Sequence, residues 1–206
     1  MRTLPMFPLG TVLLPHMVLP LHVFEPRYRE LMRQIMAGDR EFGVVLIQRG
    51  HEVGGGDERY ALGTVARVLE AEELDDGRWL VITIGTRRVR VERWLPDAPY
   101  PLAEVTELEE ERATAPAVAL RDTLTPRLRR VLAMQLELGQ DGVPPTVELS
   151  DDPDVGCWQV AVVAPLTPLD AQRILETDAG LERMQLLDGM LVDLEESLAW
   201  QLRGDE

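Results

Sequence analysis

The chain has 206 residues, a formal net charge of −15 and a single cysteine; that length holds one domain or two small ones with a sizeable core, and that charge disfavours nucleic acid and acidic membranes unless a local basic patch overrides it. All 21 basic residues are arginines and there is no Lys or Asn, which excludes a P-loop lysine, a Ser-Lys dyad and a Schiff base. Cys157 standing alone excludes an intrachain disulfide and a cysteine-based zinc site and fits a reducing cytoplasm.

The N-terminal stretch is apolar but broken by prolines at Pro5, Pro8, Pro15, Pro20 and Pro26. Proline lacks a backbone donor and fixes φ, so the stretch is expected as short extended pieces and turns laid into a core. The same prolines interrupt any signal-peptide apolar region. No window reaches the ~18 apolar residues of a membrane span. Pro26 is placed at the first turn of a helix running from Arg27 to Met36.

Val44-Val45-Leu46-Ile47 has the character of a buried strand, and Arg49 to Arg59 is a loop built around Gly54-Gly55-Gly56. Leu62 to Leu74 is predicted as a long strand, Asp75-Asp76-Gly77 as a hairpin turn and Trp79 to Ile84 as the returning strand. The alternation from Arg87 to Glu92 marks a sheet with one wet face, and Tyr100 to Leu108 supplies a last strand. Antiparallel strands with one early helix predict a small, partly closed barrel over residues 1–112.

Residues 113–206 are predicted helical. Leu120, Leu124, Leu128, Val131 and Leu132 keep one face across Pro126, which either kinks one helix or starts a second. Gly139 ends that segment. Asp152-Pro153 begins a helix through Val163 that turns Cys157, Val160 and Ala161 inward, and Thr167-Pro168-Leu169-Asp170 caps the next. Asp178 is placed as the cap of a long final helix. Its seam of Met184, Leu187, Leu191, Leu194 and Leu198 suits a bundle core or a dimer face, and Leu186, Met190 and Trp200 widen it toward the bundle. Gly189 interrupts this helix, and close packing is one reason to tolerate it.

Chemistry is sparse. His16, His22 and His51 have neither the spacing nor the neighbours of a metal site, and Ser150 and Ser197 lack a base. The triple glycine is followed by Asp57-Glu58, which would repel a phosphate. Arg87, Arg88, Arg90 and Arg93 form the densest basic run. Salt bridges to the many carboxylates explain it; a single-stranded RNA groove is the alternative.

Phe7-Pro8-Leu9 followed by Pro20-Leu21-His22-Val23-Phe24-Glu25-Pro26-Arg27-Tyr28 resembles the signature of the Lon protease N-terminal, substrate-binding domain family. Phe42-Gly43-Val44-Val45, Leu62-Gly63-Thr64-Val65-Ala66, Gly85-Thr86-Arg87-Arg88 and Tyr100-Pro101-Leu102-Ala103-Glu104-Val105 resemble its later strands. Leu175-Glu176-Thr177-Asp178 with Leu181-Glu182-Arg183-Met184 is similar to its late helices. Val89 stands where the family carries an aromatic, and Pro126 interrupts the linking helix. The resemblance implies an α+β protein, a PUA-like antiparallel β-barrel followed by a helical bundle. The ATPase and Ser-Lys peptidase modules of a full Lon protease would lie beyond Glu206, so a stand-alone member is expected.

By the same resemblance Pro8, Phe24, Glu25, Arg27, Tyr28 and Arg88 are architectural, with Phe24 and Tyr28 anchoring the first helix and Glu25 meeting Arg88 or backbone donors. The function expected is non-enzymatic binding of unfolded or specific polypeptides, with an ATPase or protease acting in trans. His16 and Met17 at the tip of the proline-rich loop, with Met32 and Met36 on the first helix, are the candidate contacts. No cofactor, metal or membrane partner is expected, and the chain is expected to be cytoplasmic, a monomer or weak homodimer. RNA binding by the barrel is the alternative, and a small-molecule pocket ranks after it.

Overall fold

The computed structural model describes residues 1–49 and 58–204, and the chain divides into units spanning Met1–Glu110 and Glu111–Glu206. The triple-glycine loop and His51 lie outside the described residues.

The first unit contains strands β1 (Arg2–Leu9), β2 (Val18–Val23), β3 (Glu41–Arg49), β4 (Glu58–Glu73), β5 (Trp79–Leu95) and β6 (Leu102–Glu107), with helix α1 (Pro26–Met36) after β2. The strand order is β2-β5-β4-β3-β1-β6, and β6 also pairs with β5. Five strands therefore close on themselves, and β2 is an extra strand on the first half of β5. The pairings are antiparallel as expected except that β1 and β3 run parallel. The connection between them carries β2 and α1, long enough for the crossover that parallel strands require.

β1 is one continuous strand despite Pro5 and Pro8, because it changes partner midway. Pro5 lies in the half paired with β6 and Pro8 in the half paired with β3. Each proline thus sits in a segment with a single ladder partner, where a missing donor is tolerated. β5 also changes partner, from β2 to β6, beyond a bulge at Thr86. Gly85 makes that corner possible: a Cβ there would stand 2.2 Å from the carbonyl oxygen of Leu14. The backbone of Gly85 accepts from His16 N at 2.8 Å and donates to Met17 O at 2.9 Å. The loop before β2 is thereby seated on β5, and its Val12, Leu13 and Leu14 are buried.

Leu4, Met6, Val45, Val65, Val89, Ala103 and Val105 form one core cluster, with a contribution from each of the five closed strands. A second cluster lies on the opposite faces of β1 and β3, where Phe7, Phe42 and Val44 pack with Tyr28, Leu31, Met32 and Ile35 of α1. Beyond the first cluster, on the same strand faces by the two-residue alternation, stands a ring of charge. Glu41 accepts from Arg2 at 3.0 Å, from Arg67 at 3.0 Å and from Arg87 at 2.7 Å. Glu107 pairs with Arg2 at 3.1 Å and Arg87 at 2.8 Å. Each closed strand supplies one member.

The second unit holds α2 (Ala115–Glu137), α3 (Pro153–Val163), α4 (Pro168–Glu176) and α5 (Gly180–Gly204). α2 runs unbroken through Pro126, so the helix loses one intrahelical bond there. Burial of Leu124, Leu128, Val131 and Leu132 outweighs that loss. Thr114, Asp152 and Thr167 accept backbone bonds as N-caps of α2, α3 and α4. Gly139, with φ of 70°, follows α2. Arg183 is buried, lies over the Trp158 ring at 3.7 Å and donates to the carbonyls of Thr177 and Asp178 after α4. That role accounts for the pairing of the two late sequence motifs.

Met184, Leu187, Met190, Leu191 and Leu198 are buried on α5, whereas Trp200 is 72% exposed and adds nothing to that face. Gly189 does not serve close packing, since a Cβ there would meet nothing within 4 Å. Gly189→Ala is therefore expected to raise stability by about 0.5–1 kcal/mol through helix propensity alone. Urea denaturation of the two proteins checks this, and an unchanged or lowered midpoint would refute it.

Candidate functional site

β2 pairs on one side only, with β5, and its exposure alternates along the strand. Val18, Pro20 and His22 point outward, opposite Ile84, Ile82 and Leu80 of β5. Directly opposed residues of an antiparallel pair share a face. On the far side of β5, Glu70 of β4 stands opposite Ile82, and Glu72 opposite Leu80. The outer face is thus a small grid: a β2 column of Val18, Pro20 and His22, an apolar β5 column, and a β4 column ending in two glutamates. Leu69 is the extra residue of a bulge in β4 and is exposed beside them.

Of these residues, Pro20, His22, Glu70, Glu72, Leu80 and Ile82 line an open groove of about 540 Å³. Pro20, Leu21 and His22 also line a smaller pocket of about 150 Å³ that reaches Phe24 and Tyr28. Val18 is 53% exposed, Phe24 53%, Leu80 46% and Ile82 36%. Isolated exposed apolar residues are ordinary on a protein surface, but a contiguous group lining a concavity marks an interaction site. Glu70 and Glu72 form no ion pair with any cation among the described residues, whereas Glu25 pairs with Arg27 at 3.0 Å and Glu73 with Arg33 at 3.0 Å.

The residues expected to make contacts lie elsewhere. Met32 is 0% exposed, because the inner face of α1 must cover the sheet, so it is corrected from contact residue to core residue. Met17 and Met36 are half-buried and pack against the same core. His16 is half-buried with φ of 64°, a left-handed turn that lets its N–H reach Gly85. The loop from Val12 to Pro15 is packed inward, so the accessible apolar surface is supplied by β2 and β5 instead.

Among the motif residues, Pro8 is buried in the parallel ladder and Tyr28 stacks on Phe7 with ring centroids 4.1 Å apart. The Arg27 guanidinium covers the other aromatic partner, 4.4 Å from the Tyr28 centroid. Phe24 does not anchor α1: Tyr28 occupies the inward position, and Phe24 faces solvent near His22, with ring centroids 6.1 Å apart. Glu25 meets Arg27 in place of Arg88. Arg88 is a fully buried side chain that donates to Glu110. Arg87 and Arg93 are likewise held by carboxylates, Arg93 by Glu104 at 2.8 Å. Three of the four arginines of the basic run, Arg87, Arg88 and Arg93, are thus engaged in structural pairs, and Arg90 is exposed.

Sequence reading missed Leu80 and Ile82. Trp79 to Ile84 is apolar at almost every position, so no alternation announces which side chains face out. Glu70 and Glu72 carried a signal, two carboxylates at strand spacing on one face.

The first unit thus joins a strand circuit closed by β5–β6 to an apolar outer face on β2 and β5 and a buried aromatic entry to α1. The family profile described as the ATP-dependent protease La (LON) substrate-binding domain matches residues 3–193, and the chain belongs to that family. It is 29% identical over 189 residues to a Lon protease of Brevibacillus choshinensis, covering 90% of this chain and 24% of that protein. A Lon protease of Cytophaga hutchinsonii is 28% identical over 195 residues, again with 24% of that protein covered. The chain spans about a quarter of the length of these curated relatives.

The crystal structure of a Lon N-terminal domain protein from Xanthomonas campestris matches with a TM-score of 0.64 and 28% identity, over 91% of this chain and 97% of that one. The N-terminal domain of Mycobacterium avium complex Lon protease matches with a TM-score of 0.66 at 22% identity, over 95% and 98% of the two chains, which shows the shared fold. Among the described residues no helix is long and apolar enough to cross a membrane.

Proposed function

We propose that this chain is a non-enzymatic receptor for unfolded or specific polypeptides in the cytoplasm, serving an ATPase or protease carried on a separate chain. Membership of a substrate-binding family supports the first part. The observation that carries the reading is the groove on β2 and β5, where Pro20, Leu80 and Ile82 offer apolar surface to water. An apolar segment entering it removes that surface from water, and each buried Leu or Ile contributes ~1.5–3 kcal/mol before association costs. Affinities in the micromolar range are expected.

The test is titration of a fluorescent, unfolded apolar peptide into wild type, Ile82→Asp and Leu169→Asp. Leu169, on α4, is equally a large exposed apolar residue and serves as the control. Ile82→Asp is expected to weaken binding by about tenfold or more, and Leu169→Asp to leave it unchanged. Equal binding by all three proteins would remove this groove from consideration.

A further inference from the structure

We propose that the groove selects apolar segments that also carry Lys or Arg, with Glu70 and Glu72 receiving the basic side chains. This rests on the reading of the groove as a polypeptide receptor and specifies what it accepts. The two glutamates stand one rung apart on β4, beside Ile82 and Leu80 respectively. Neighbouring strands lie about 4.8 Å apart, and alternate residues of one strand about 6.8 Å. A segment laid on the apolar column therefore has two carboxylates along its flank, within reach of a long basic side chain.

Three features favour this occupant. Neither glutamate is neutralised by a cation among the described residues, whereas Glu25, Glu41 and Glu73 each hold an arginine. The groove wall across from them is Pro20 and His22, so among the described residues the two carboxylates are the acids that line it. The chain as a whole carries a net charge of −15, which opposes a second copy or an acidic segment in the same place.

The experiment compares three unfolded peptides of identical apolar content carrying two Lys, two Ser or two Glu at the same positions. Wild type is expected to bind the Lys peptide about three- to tenfold more tightly than the Ser peptide, and the Glu peptide most weakly. The preference should shrink in 0.5 M salt, where the Debye length is about 4 Å. E70K/E72K is expected to invert the ranking, and E70Q/E72Q to flatten it. D193K/E196K changes net charge equally on exposed positions of α5 and is expected to keep the wild-type ranking.

A ranking that D193K/E196K alters as much as E70K/E72K would assign the preference to overall charge and overturn the proposal. So would a ranking untouched by E70K/E72K, which leaves the receptor reading standing if Ile82→Asp still weakens binding of the Ser peptide about tenfold or more. No binding of any peptide by wild type would sink both readings. Sedimentation that shows a wild-type dimer converted to monomer by Ile82→Asp would assign the face to a second copy instead.

Discussion

Glu41→Ala is expected to lower the unfolding free energy by about 2–3 kcal/mol at neutral pH and to reduce the loss of stability as pH falls from 4.5 to about 2. Glu41 is 7% exposed and is the carboxylate on which arginines from β1, β4 and β5 converge. Hydrogen bonds from Arg87, and then from Arg67 and Arg2, overcome burial and hold its carboxyl down from an ordinary 4.5 to about 2. Glu107 lies below the ordinary range as well, chiefly through Arg87. A depressed carboxyl stabilises the fold fully above its unfolded-chain value, and that contribution is lost as pH falls through the folded value. The affected window is therefore pH 4.5 down to about 2.

The full linkage for Glu41 corresponds to about 3 kcal/mol. Partial exposure of the arginines and the surviving Glu107 pairs keep the cost of substitution near or below that. Urea unfolding of wild type and Glu41→Ala at a series of pH values gives the difference. Wild type should lose stability steeply across the window while the variant follows a shallower line. Parallel curves would show that the ring of charge contributes nothing specific.

Gly85→Ala is expected to destabilise the protein by roughly 3 kcal/mol and to weaken peptide binding at the same time. The added methyl would collide with a backbone carbonyl, that of Leu14, which no rotamer change can relieve. The loop must lift, and with it go the bonds from His16 to Gly85 and from Gly85 to Met17. That loop leads directly into β2, so the outer wall of the groove moves. Thermal unfolding and the peptide titration, measured on the same samples, check both parts. A variant with wild-type melting and binding would mean that the loop is not held by this contact.

The glycine and proline punctuation was open to reading from sequence alone. The turn at Gly77, the end of α2 near Gly139 and the caps at Asp152 and Thr167 follow from local chemistry, because each depends on φ or on a side chain within a few residues. The continuous path of β1 and of α2 was harder to see, since in both the proline penalty is outweighed by burial that only partner elements supply. Met32 was misplaced for the same reason. Its flexible, polarizable side chain suits a binding surface as well as a core, and only the packing of α1 against the sheet separates the two. Phe24 and Tyr28 belong to one motif, yet a helix has a single inward face and Tyr28 takes it.

By itself the sequence determined the class of the protein: the order of elements, the family motif and the absence of lysine-dependent chemistry, all carried by residue identity and short spacings. Only the tertiary structure decided where the surface for a ligand lies. β2 became an edge strand, β5 changed partner at Gly85, and Leu80 and Ile82 were left facing water. Nor could the five-strand charge ring be read from the chain, because its members lie as far apart as Arg2 and Glu107. Such contacts depend on register and closure, which emerge from long-range pairing.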